Sequence, residues 1–303
     1  MIVALAGLWP PVATPFAASG SVDLIRLTRH SRALLTDGAH GLAILGTTSE
    51  ANSLTLDERL KVIDAHVEAG INPHQLLPGT GACAIEDAAI LSRHAANLGA
   101  AAVLLLPPFY YKKVPDEGLY AFVARLIEKI GQKVPRILLY HIPAVAGVGW
   151  SVDLVRRLRE AFPGIVVGMK DSSGDFDHTR RMIESFPGFA VFPGAEIYLL
   201  KAMAVGAVGC ISASANINAR GIRRLLDSLG QANAEVLQNE LNDVRKAVES
   251  RVLIPAVKAV LAARYRDPAW LSVRPPLMPL REAERAALLD EPAVLKLLDT
   301  ALT

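Results

Sequence analysis

The sequence is poor in the residues that build disulfide frameworks and cysteine-based metal sites. Its two cysteines, Cys83 and Cys210, lie far apart in a chain of 303 residues and lack metal-ligand spacing. Such sparse cysteine is typical of a protein from a reducing compartment. The seven histidines do not cluster along the chain either. We therefore predict no metal site, no cofactor and no thiol nucleophile.

An excess of charge of one sign is also lacking. The chain carries 32 basic and 30 acidic residues, has a net charge of +2, and contains neither a basic run nor an acidic tail. Balanced, dispersed charge gives no special attraction to nucleic acid or anionic lipid. No Gly-x-Gly-x-x-Gly motif follows the first predicted strand and no P-loop occurs, so nucleotide chemistry has no support.

Long uncharged runs occur at three places, but none has the character of a membrane span. Residues 1–22 lack a basic n-region and are interrupted by prolines, which argues against a signal peptide. Residues 202–219 contain four serine and asparagine side chains toward their end, and residues 95–111 are broken by an asparagine and two prolines. We predict a cytoplasmic protein without a membrane segment.

What the chain does contain is a regular alternation of short apolar runs and longer amphipathic segments. Eight runs bounded by Gly and Pro have the length and composition of buried parallel strands. They are ALAGLWPPVA near Ala4, GLAILG at Gly41, QLLPGTG at Gln75, AAVLLLPP at Ala101, PRILLYH at Pro135, GIVVGMK at Gly164, GFAVFPG at Gly188 and GAVGCIS at Gly206. Segments with helical periodicity lie between them, with Thr55, Ser151 and Asp175 as caps.

Eight strands alternating with helices predict an α/β fold of the (β/α)8 TIM-barrel type. A doubly wound open sheet is the alternative, but it would usually use fewer strands. The alternation stops at about Gln231, and three helical segments follow, the last near residues 282–299. We predict a catalytic barrel domain at residues 1–230 and a helical extension at residues 231–303 that packs on the barrel.

Unusual side chains follow several of the predicted strands, at the end where the active site of such a barrel lies. Lys170 ends the sixth strand in GMKDSS, and Tyr140 ends the fifth in LLYHIPAVAGV. The turn GTTSE, residues 46–50, follows the second strand, and Tyr110 and Tyr111 follow the fourth in PPFYYKK. The four features are therefore expected to share one rim of the barrel.

Each feature has a functional and a structural interpretation. A lysine at a strand end is usually solvated or ion-paired. Burial and neighbouring charge can, however, lower a lysine pKa from about 10.4 toward neutrality, and a neutral amine forms a Schiff base that stabilises a carbanion. An adjacent tyrosine is either a half-buried aromatic or a proton relay. The GTTSE turn is either a helix cap or a carboxylate site made of N–H groups and hydroxyls.

With GTTSE, YHIPAVAG and GMKDSSG in this order and spacing, the chain resembles the dihydrodipicolinate synthase/N-acetylneuraminate lyase family. The resemblance extends from VATPF at Val12 to VRPPLMPL at Val273. It implies a lysine-dependent class I lyase or aldolase that acts on pyruvate or another 2-oxo acid. It also implies an oligomer, typically a homotetramer built from dimers.

The resemblance assigns the catalytic roles. Lys170 would form the imine, and Tyr140 and Thr47 would relay protons. Members of the family also lend a tyrosine from a neighbouring subunit to this relay. Tyr110 takes that position most naturally, with Tyr111 as the alternative because the alignment is offset nearby.

The resemblance also assigns substrate-binding residues. Thr48 would hold the substrate carboxylate through its hydroxyl and backbone, and Ile211 would place its carbonyl near the bound keto acid. N-acetylneuraminate lyases carry an Asp-Glu pair near the seventh strand, where this chain has Ala195 and Glu196, so half of the pair matches. Gly194 and Glu196 complete the predicted substrate site.

Three departures from the family pattern bear on specificity. Dihydrodipicolinate synthases carry an arginine two residues after the proline of the tyrosine motif, where this chain has Val145, which cannot form a charge-assisted fork with a carboxylate. His141 stands where asparagine is common. Ser49 stands where glycine is common, and it restricts the backbone of the turn.

These observations leave three functional hypotheses. The first is a Schiff-base lyase or dehydratase that acts on a 2-oxo acid through Lys170. The second is 4-hydroxy-tetrahydrodipicolinate synthase, condensing pyruvate with aspartate semialdehyde, in which Lys112, Lys113 or Arg180 replaces the missing arginine. The third is a non-catalytic protein that binds keto acids.

Overall fold

Parallel strands and alternating helices build the structure, a computed structural model that describes residues 5–300. Ala4, where the first predicted run begins, and residues 301–303 of the predicted extension lie outside this range. The strands within it are β1 (Gly7–Leu8), β2 (Val103–Leu105), β3 (Ile137–His141), β4 (Val166–Asp171), β5 (Ala190–Pro193) and β6 (Gly209–Cys210).

The α-helices of the described residues follow in chain order. They are α1 (Leu24–Thr36), α2 (Leu56–Glu68), α3 (Ile85–Leu98), α4 (Asp116–Ile130), α5 (Pro143–Ala146), α6 (Val152–Ala161), α7 (Phe176–Ser185), α8 (Leu199–Ala204), α9 (Ala215–Asp227), α10 (Ala234–Glu249), α11 (Leu253–Tyr265), α12 (Glu282–Leu289) and α13 (Pro292–Thr300). Short 3₁₀ helices occur at Ala51–Ser53, Pro73–Gln75, Glu196–Tyr198 and Pro268–Leu271.

The sheet closes on itself through eight strand positions. Strands β2 to β5 pair in chain order, and β1 pairs with β6, with Gly7 opposite Gly209. The remaining two positions, residues 42–44 and 76–79, are extended segments joined to each other and to β2 by single bridges, Leu42 to Leu76 and Gly79 to Leu104. The predicted (β/α)8 barrel is confirmed, and β4 is the sixth of its eight positions.

Two of the eight predicted strands are therefore less regular than expected, and the sequence explains why. Pro78 has no N–H to donate, so pairing at the third position is interrupted. Leu45 adopts a left-handed conformation with φ of 60°, which ends the extended run at the second position. Even so, Gly79 N donates to Ile44 O at 2.8 Å and Leu77 N donates to Leu42 O at 2.9 Å, which keeps the ring closed.

Alternating side chains on the strands face either the barrel interior or the surrounding helices. Leu104, Leu138, Tyr140 and Phe192 belong to the buried cluster inside the barrel. Their neighbours along the strands pack instead with the helices, in a second cluster that contains Val103, Leu105, Ile137, Leu139 and Val191. Lys170 lies opposite both Tyr140 and Phe192 in the register of β3, β4 and β5. The register therefore places Lys170 on the inner face.

The predicted helix caps are confirmed. Thr55 and Glu58 form a reciprocal capping box at the start of α2. The Ser151 hydroxyl accepts from Leu154 N at 3.1 Å, and the Asp175 carboxylate accepts from the first backbone N–H groups of α7. Each cap satisfies N–H groups that a helix leaves unpaired at its N-terminus.

Helices α10 to α13 follow the barrel and pack on it. Leu237 and Leu241 of α10 join the same buried cluster as Leu8 and Leu42 of the barrel. The single helix predicted near residues 282–299 is wrong, because α12 ends at Leu289 and α13 begins at Pro292. A proline is accommodated in the first turn of a helix but not in its interior. The division of the chain at residue 230 remains a prediction.

Within residues 5–300, every helix is too short or too polar to cross a lipid bilayer.

Closure of the barrel depends on Gly209. A Cβ at this position would lie 1.9 Å from the Gly7 carbonyl oxygen, and the backbone there has a positive φ of 152°. We expect Gly209→Ala to lower the free energy of unfolding by about 1–3 kcal/mol, the usual cost of overpacking a rigid site, as measured by urea denaturation. The matched control is Gly118→Ala in α4, where the new methyl meets only Pro115 Cδ at 3.9 Å and should be neutral or stabilising. Equal effects of the two substitutions would contradict this role of Gly209.

Candidate active site

Lys170 is a buried amine that has no counter-ion within residues 5–300. Its side chain is only 4% exposed, and its Nζ lies 4.2 Å from the centroid of the Tyr140 ring. Among the described residues, no carboxylate and no hydrogen-bond acceptor contacts this nitrogen. A lysine that is buried without a pairing carboxylate is unusual, because desolvation of the charge is then uncompensated. The arrangement suits an amine that reacts rather than one that stabilises the fold.

Tyr140 and Thr47 meet beside this amine. The Tyr140 hydroxyl lies 3.1 Å from Thr47 Oγ1, so the two hydroxyls share a hydrogen bond. Tyr140 comes from the end of β3 and Thr47 from the turn after the second strand position. The structure therefore brings together Lys170, Tyr140 and Thr47 from three separate parts of the chain, as predicted from their places at strand ends. Two adjoining hydroxyls form a path along which a proton can move.

The turn at residues 46–50 is held rigidly. Glu50 N donates to Thr47 O at 3.0 Å, and Ser49 N donates to Gly46 O at 3.2 Å. Ser49 Oγ accepts from Gly46 N at 3.2 Å and donates to Val12 O at 2.6 Å. The serine that replaces the common glycine thus adds two hydrogen bonds to the turn. Thr48, the predicted carboxylate ligand, is buried within it.

Gly194 and Ile211 follow β5 and β6 at the same end of the barrel. Gly194 N donates to Asp171 O at 2.6 Å, and a Cβ at Gly194 would lie 1.9 Å from Ser172 Oγ. Only glycine allows this close approach of the two loops. Ile211 is fully buried, and its N–H donates to Pro193 O at 3.1 Å. Both residues therefore lie next to β5, one of the two strands that flank β4.

Glu196 is buried in a polar cluster. Its two carboxylate oxygens accept from the hydroxyls of Ser212 and Ser214. Arg245 of α10 approaches to 3.7 Å from the same carboxylate and donates to Ser212 Oγ at 3.2 Å. Burial above all, together with the nearby charge of Glu196, raises the pKa of the Cys210 thiol and keeps it protonated. The carboxylate of Glu196 is thus already engaged within the protein.

Tyr110 and Tyr111 project from the loop after β2. Their side chains are 73% and 75% exposed, and their rings contact each other edge to face at 5.2 Å. Tyrosine and other aromatic side chains are enriched at protein–protein interfaces. Their exposure is compatible with a contact to a second subunit, and the choice between the two tyrosines remains a prediction.

Sequence reasoning missed a cluster of Asp171, His178 and His141 beside Lys170. His178 Nδ1 and Thr179 Oγ1 each lie 2.8 Å from Asp171 Oδ2, and the rings of His141 and His178 stack at 4.3 Å with an angle of 13°. His141 Nδ1 accepts from Trp150 N at 3.0 Å. In the sequence His141 stands out only as a departure from the family pattern, and its spacing from His178 gives no further signal.

The same three residues have ligand atoms within 4.8 Å of one another, the separation expected of a metal-binding cluster. Their hydrogen bonds favour another interpretation, because the Asp171 carboxylate already accepts from two side chains and from Ser173 N. The cluster is therefore best described as a hydrogen-bonded support of the rim, and the lack of a metal remains a prediction.

Burial sets the protonation of this cluster. Burial lowers the pKa of His141 to about 4. The negative charge of Asp171 acts to raise this pKa, and the nearby His178 acts to lower it further. For Asp171, burial acts to raise the pKa, but the hydrogen bonds from His178 and Ser173 outweigh it and hold the pKa below its usual value. Near neutral pH the rim thus presents a neutral His141 beside an ionised Asp171.

The (β/α)8 barrel has a buried lysine at the carboxyl end of its sixth strand, without an ion-pair partner in the described part of the chain, and a tyrosine–threonine hydroxyl pair beside it. These features define the class of lysine-dependent (class I) lyases and aldolases. Comparison with known proteins agrees with this class. The model of the dihydrodipicolinate synthetase family matches residues 4–291. The chain belongs to this family and is a Schiff-base-forming lyase.

Individual relatives have the same length and fold. An uncharacterised DapA-like lyase of Chloroflexus aurantiacus is 34% identical over 284 residues, which is 93% of this chain and 94% of that one. The crystal structure of dihydrodipicolinate synthase from Agrobacterium tumefaciens has a TM-score of 0.89 and 35% identity, with 96% of this chain and 99% of that chain covered. YagE, a prophage protein of E. coli K12 solved in complex with pyruvate, also has a TM-score of 0.89, at 26% identity and coverages of 98% and 99%.

The depressed pKa of His141 predicts a specific dependence of stability on pH. The folded protein keeps this imidazole neutral down to about pH 4, whereas the unfolded chain protonates it below about pH 6.5. The unfolded state therefore binds more protons between these values, and stability falls as the pH is lowered through them. One such proton changes the slope of the unfolding free energy against pH by up to about 1.4 kcal/mol per pH unit. We expect His141→Asn to flatten the slope near pH 5 by up to this amount, as measured by urea denaturation. An unchanged slope would contradict burial of a neutral imidazole.

Proposed function

We propose that this protein cleaves or dehydrates a 2-oxo acid, pyruvate or a related compound, through an imine on Lys170. The observation that carries the proposal is the buried Lys170 amine, which lacks a carboxylate partner among the described residues and lies against Tyr140. The neutral amine attacks the carbonyl carbon of the substrate, and loss of water gives the imine. The imine then accepts the electron pair released when the neighbouring bond breaks.

Tyr140 and Thr47 are the proposed proton relay. The Tyr140 hydroxyl donates a proton to the departing hydroxyl of the carbinolamine, and Thr47, 3.1 Å away, passes the next proton along the pair. In a dehydratase the same imine would expel a hydroxyl from the next carbon. The exposed Tyr110, or alternatively Tyr111, extends the relay from a neighbouring subunit, in a homotetramer built from dimers.

Thr48 and the backbone of residues 46–50 are the proposed carboxylate site. A turn of backbone N–H groups and hydroxyls stabilises an anion without requiring a buried cation. The carbonyl of Ile211 and the small Gly194 would border the keto acid on the other side of β4. Glu196 would reach a sugar hydroxyl only by exchanging its hydrogen bond with Ser212 or Ser214.

Specificity for the second substrate is proposed to depend on Val145. Its side chain is 65% exposed in α5, just after β3, and it offers no charge. Of the three cations considered as substitutes for an arginine, Lys112 approaches this segment, since its Nζ donates to Ala146 O at 2.7 Å. Arg180 is paired with Asp177 at 3.0 Å. The contact of Lys112 is the observation that keeps dihydrodipicolinate synthesis as the second candidate function.

The third hypothesis, a protein that binds keto acids without turnover, gives no reason for a buried Lys170 amine beside Tyr140.

We place the enzyme in the cytoplasm, as its sparse cysteine suggests.

Trapping of the imine tests the proposed function directly. Incubation with pyruvate and borohydride is expected to add one reduced pyruvyl group to the intact protein, which peptide mass spectrometry assigns to Lys170. Lys170→Ala should abolish the adduct and reduce kcat by at least about a thousandfold, since the variant lacks the nucleophile. Lys201→Ala, at an exposed lysine of α8, is the matched control and should behave as the parent protein. An unmodified parent protein would favour the non-catalytic hypothesis.

A substrate panel distinguishes the two catalytic candidates. We expect sugar-derived 2-oxo acids to react with kcat/KM at least about tenfold above that for condensation of pyruvate with aspartate semialdehyde, because a charge-assisted hydrogen bond to the aldehyde's carboxylate is missing. Val145→Arg should raise the synthase kcat/KM by about tenfold or more, whereas Val145→Leu should leave it unchanged. Efficient synthase turnover by the parent protein would reverse the ranking.

A further inference from the structure

The turn proposed to bind the substrate carboxylate ends in a buried acidic residue. Glu50 is 4% exposed and adopts a left-handed backbone conformation with φ of 55°. Its Oε1 accepts from Lys258 Nζ, and its Oε2 accepts from Arg274 N at 2.9 Å. Both oxygens are therefore bound by residues that follow the barrel in the chain.

The Lys258 ammonium is held beside Glu50 by several contacts. The side chain is fully buried in α11, and its Nζ also donates to Ser272 O at 2.7 Å and lies 4.4 Å from the centroid of the Phe16 ring. Burial lowers the pKa of Lys258, while the charge and hydrogen bond of Glu50 act to raise it. The ammonium thus has a carboxylate, a carbonyl and an aromatic face as partners, and each fixes its position.

Arg274 also binds residues that follow the turn at residues 46–50. Its guanidinium donates to Glu58 at the start of α2 and to Ser53 O at 2.7 Å in the 3₁₀ helix that follows the turn. The hydrogen bond from Arg274 is the main reason why the pKa of Glu58 falls to about 2. The segment around residues 272–274 therefore fixes the end of the proposed carboxylate site and the residues that follow it, Ser53 and Glu58.

A short path of contacts leads from Lys258 to the proposed relay. Glu50 N donates to Thr47 O at 3.0 Å, and Thr47 Oγ1 lies 3.1 Å from the Tyr140 hydroxyl. Glu50 also has a left-handed conformation that is unfavourable for a residue with a side chain. The turn therefore depends on outside contacts to keep the shape that presents Thr47 and Thr48.

We propose that Glu50 and Lys258 are positioning residues, through which the C-terminal helices set the geometry of the carboxylate-binding turn and its Thr47 hydroxyl. The inference rests on the proposed function and deepens it. Neither residue touches substrate in this proposal. Two buried opposite charges fix one relative arrangement of α11 and the turn, which an apolar pair of similar size would not specify as strictly.

The test compares two double substitutions that each remove an ion pair between α11 and a residue of the barrel. Glu50→Gln with Lys258→Met removes the pair on the turn while keeping side-chain volume and leaving no unpaired charge. Asp37→Asn with Arg264→Met is the matched control, because Arg264 of α11 contacts Asp37 at 2.7 Å at the end of α1, away from the turn. In the control pair Arg264 is partly buried, and Asp37 also binds the exposed Arg220. Should the first double variant be insoluble, Glu50→Gln alone replaces it in every comparison.

The expected result is specific to the first variant. Its kcat should fall about 10–100-fold, as displacement of a catalytic group by about 1 Å commonly produces, and hydrogen exchange at the amides of residues 49–51 should accelerate. The control should retain kcat and the protection of these amides. In a Thr47→Val background the Glu50 and Lys258 substitutions should reduce kcat by less than about twofold further, because they act through Thr47.

Three outcomes would overturn the inference. The first is a kcat and a hydrogen-exchange rate in the first double variant that equal those of the parent protein. The second is an equal loss of kcat in the control variant. The third is a fold-loss of kcat from the Glu50 and Lys258 substitutions that is as large in the Thr47→Val background as in the parent protein. Failure of the proposed function has a different signature, which is a parent protein that forms no borohydride adduct at Lys170. In that case the expected effect of Glu50 and Lys258 on kcat fails together with the proposed function. An adduct in the parent protein with no effect of the Glu50 and Lys258 substitutions overturns the inference alone.

Discussion

The chemistry of this protein depends on one constraint, the register of a closed parallel barrel. Because β3, β4 and β5 align Tyr140, Lys170 and Phe192 in one row, the lysine side chain must enter the barrel interior. An aromatic ring receives its amine there, and no carboxylate of the described residues does. The same ring carries the hydroxyl that meets Thr47. The burial of the Lys170 amine and the hydrogen bond between Tyr140 and Thr47 beside it are thus consequences of how the eight strands close.

Helices α10 and α11 form ion pairs with loops at the carboxyl ends of the barrel strands. Two of their buried cations reach acidic residues that lie directly after barrel strands. Lys258 of α11 binds Glu50, and Arg245 of α10 lies 3.7 Å from Glu196. Buried charges are tolerated where hydrogen bonds satisfy them, and here they are satisfied on loops at the carboxyl ends of the second and seventh strand positions. The loops that border the site are thus tied to the helices at two places.

The sequence was informative where function coincides with the end of a strand. Lys170, Tyr140 and Thr47 could be predicted together because strand ends share one rim, and the barrel itself followed from the count of apolar runs. Contacts between distant segments could not be predicted, since no periodicity links Glu50 to Lys258 or Asp171 to His141. At the third strand position, Pro78 was a readable sign of irregular pairing, whereas the left-handed conformation of Leu45 at the second position could not be read from an apolar run. Likewise, a proline that begins α13 was not distinguished from one within a continuous helix.

The contact between Lys258 and Glu50 joins residues 208 positions apart, and this separation has a consequence for biosynthesis. The turn leaves the ribosome well before α11 is translated, by roughly 10–40 s at about 5–20 residues per second. During that interval Glu50 lacks both of its later partners, Lys258 Nζ and Arg274 N. A chain that ended before α11 would contain every barrel strand and Lys170, but its Glu50 carboxylate would have neither of these contacts. The turn at residues 46–50 therefore gains its full set of contacts only after residues 253–274 have been translated.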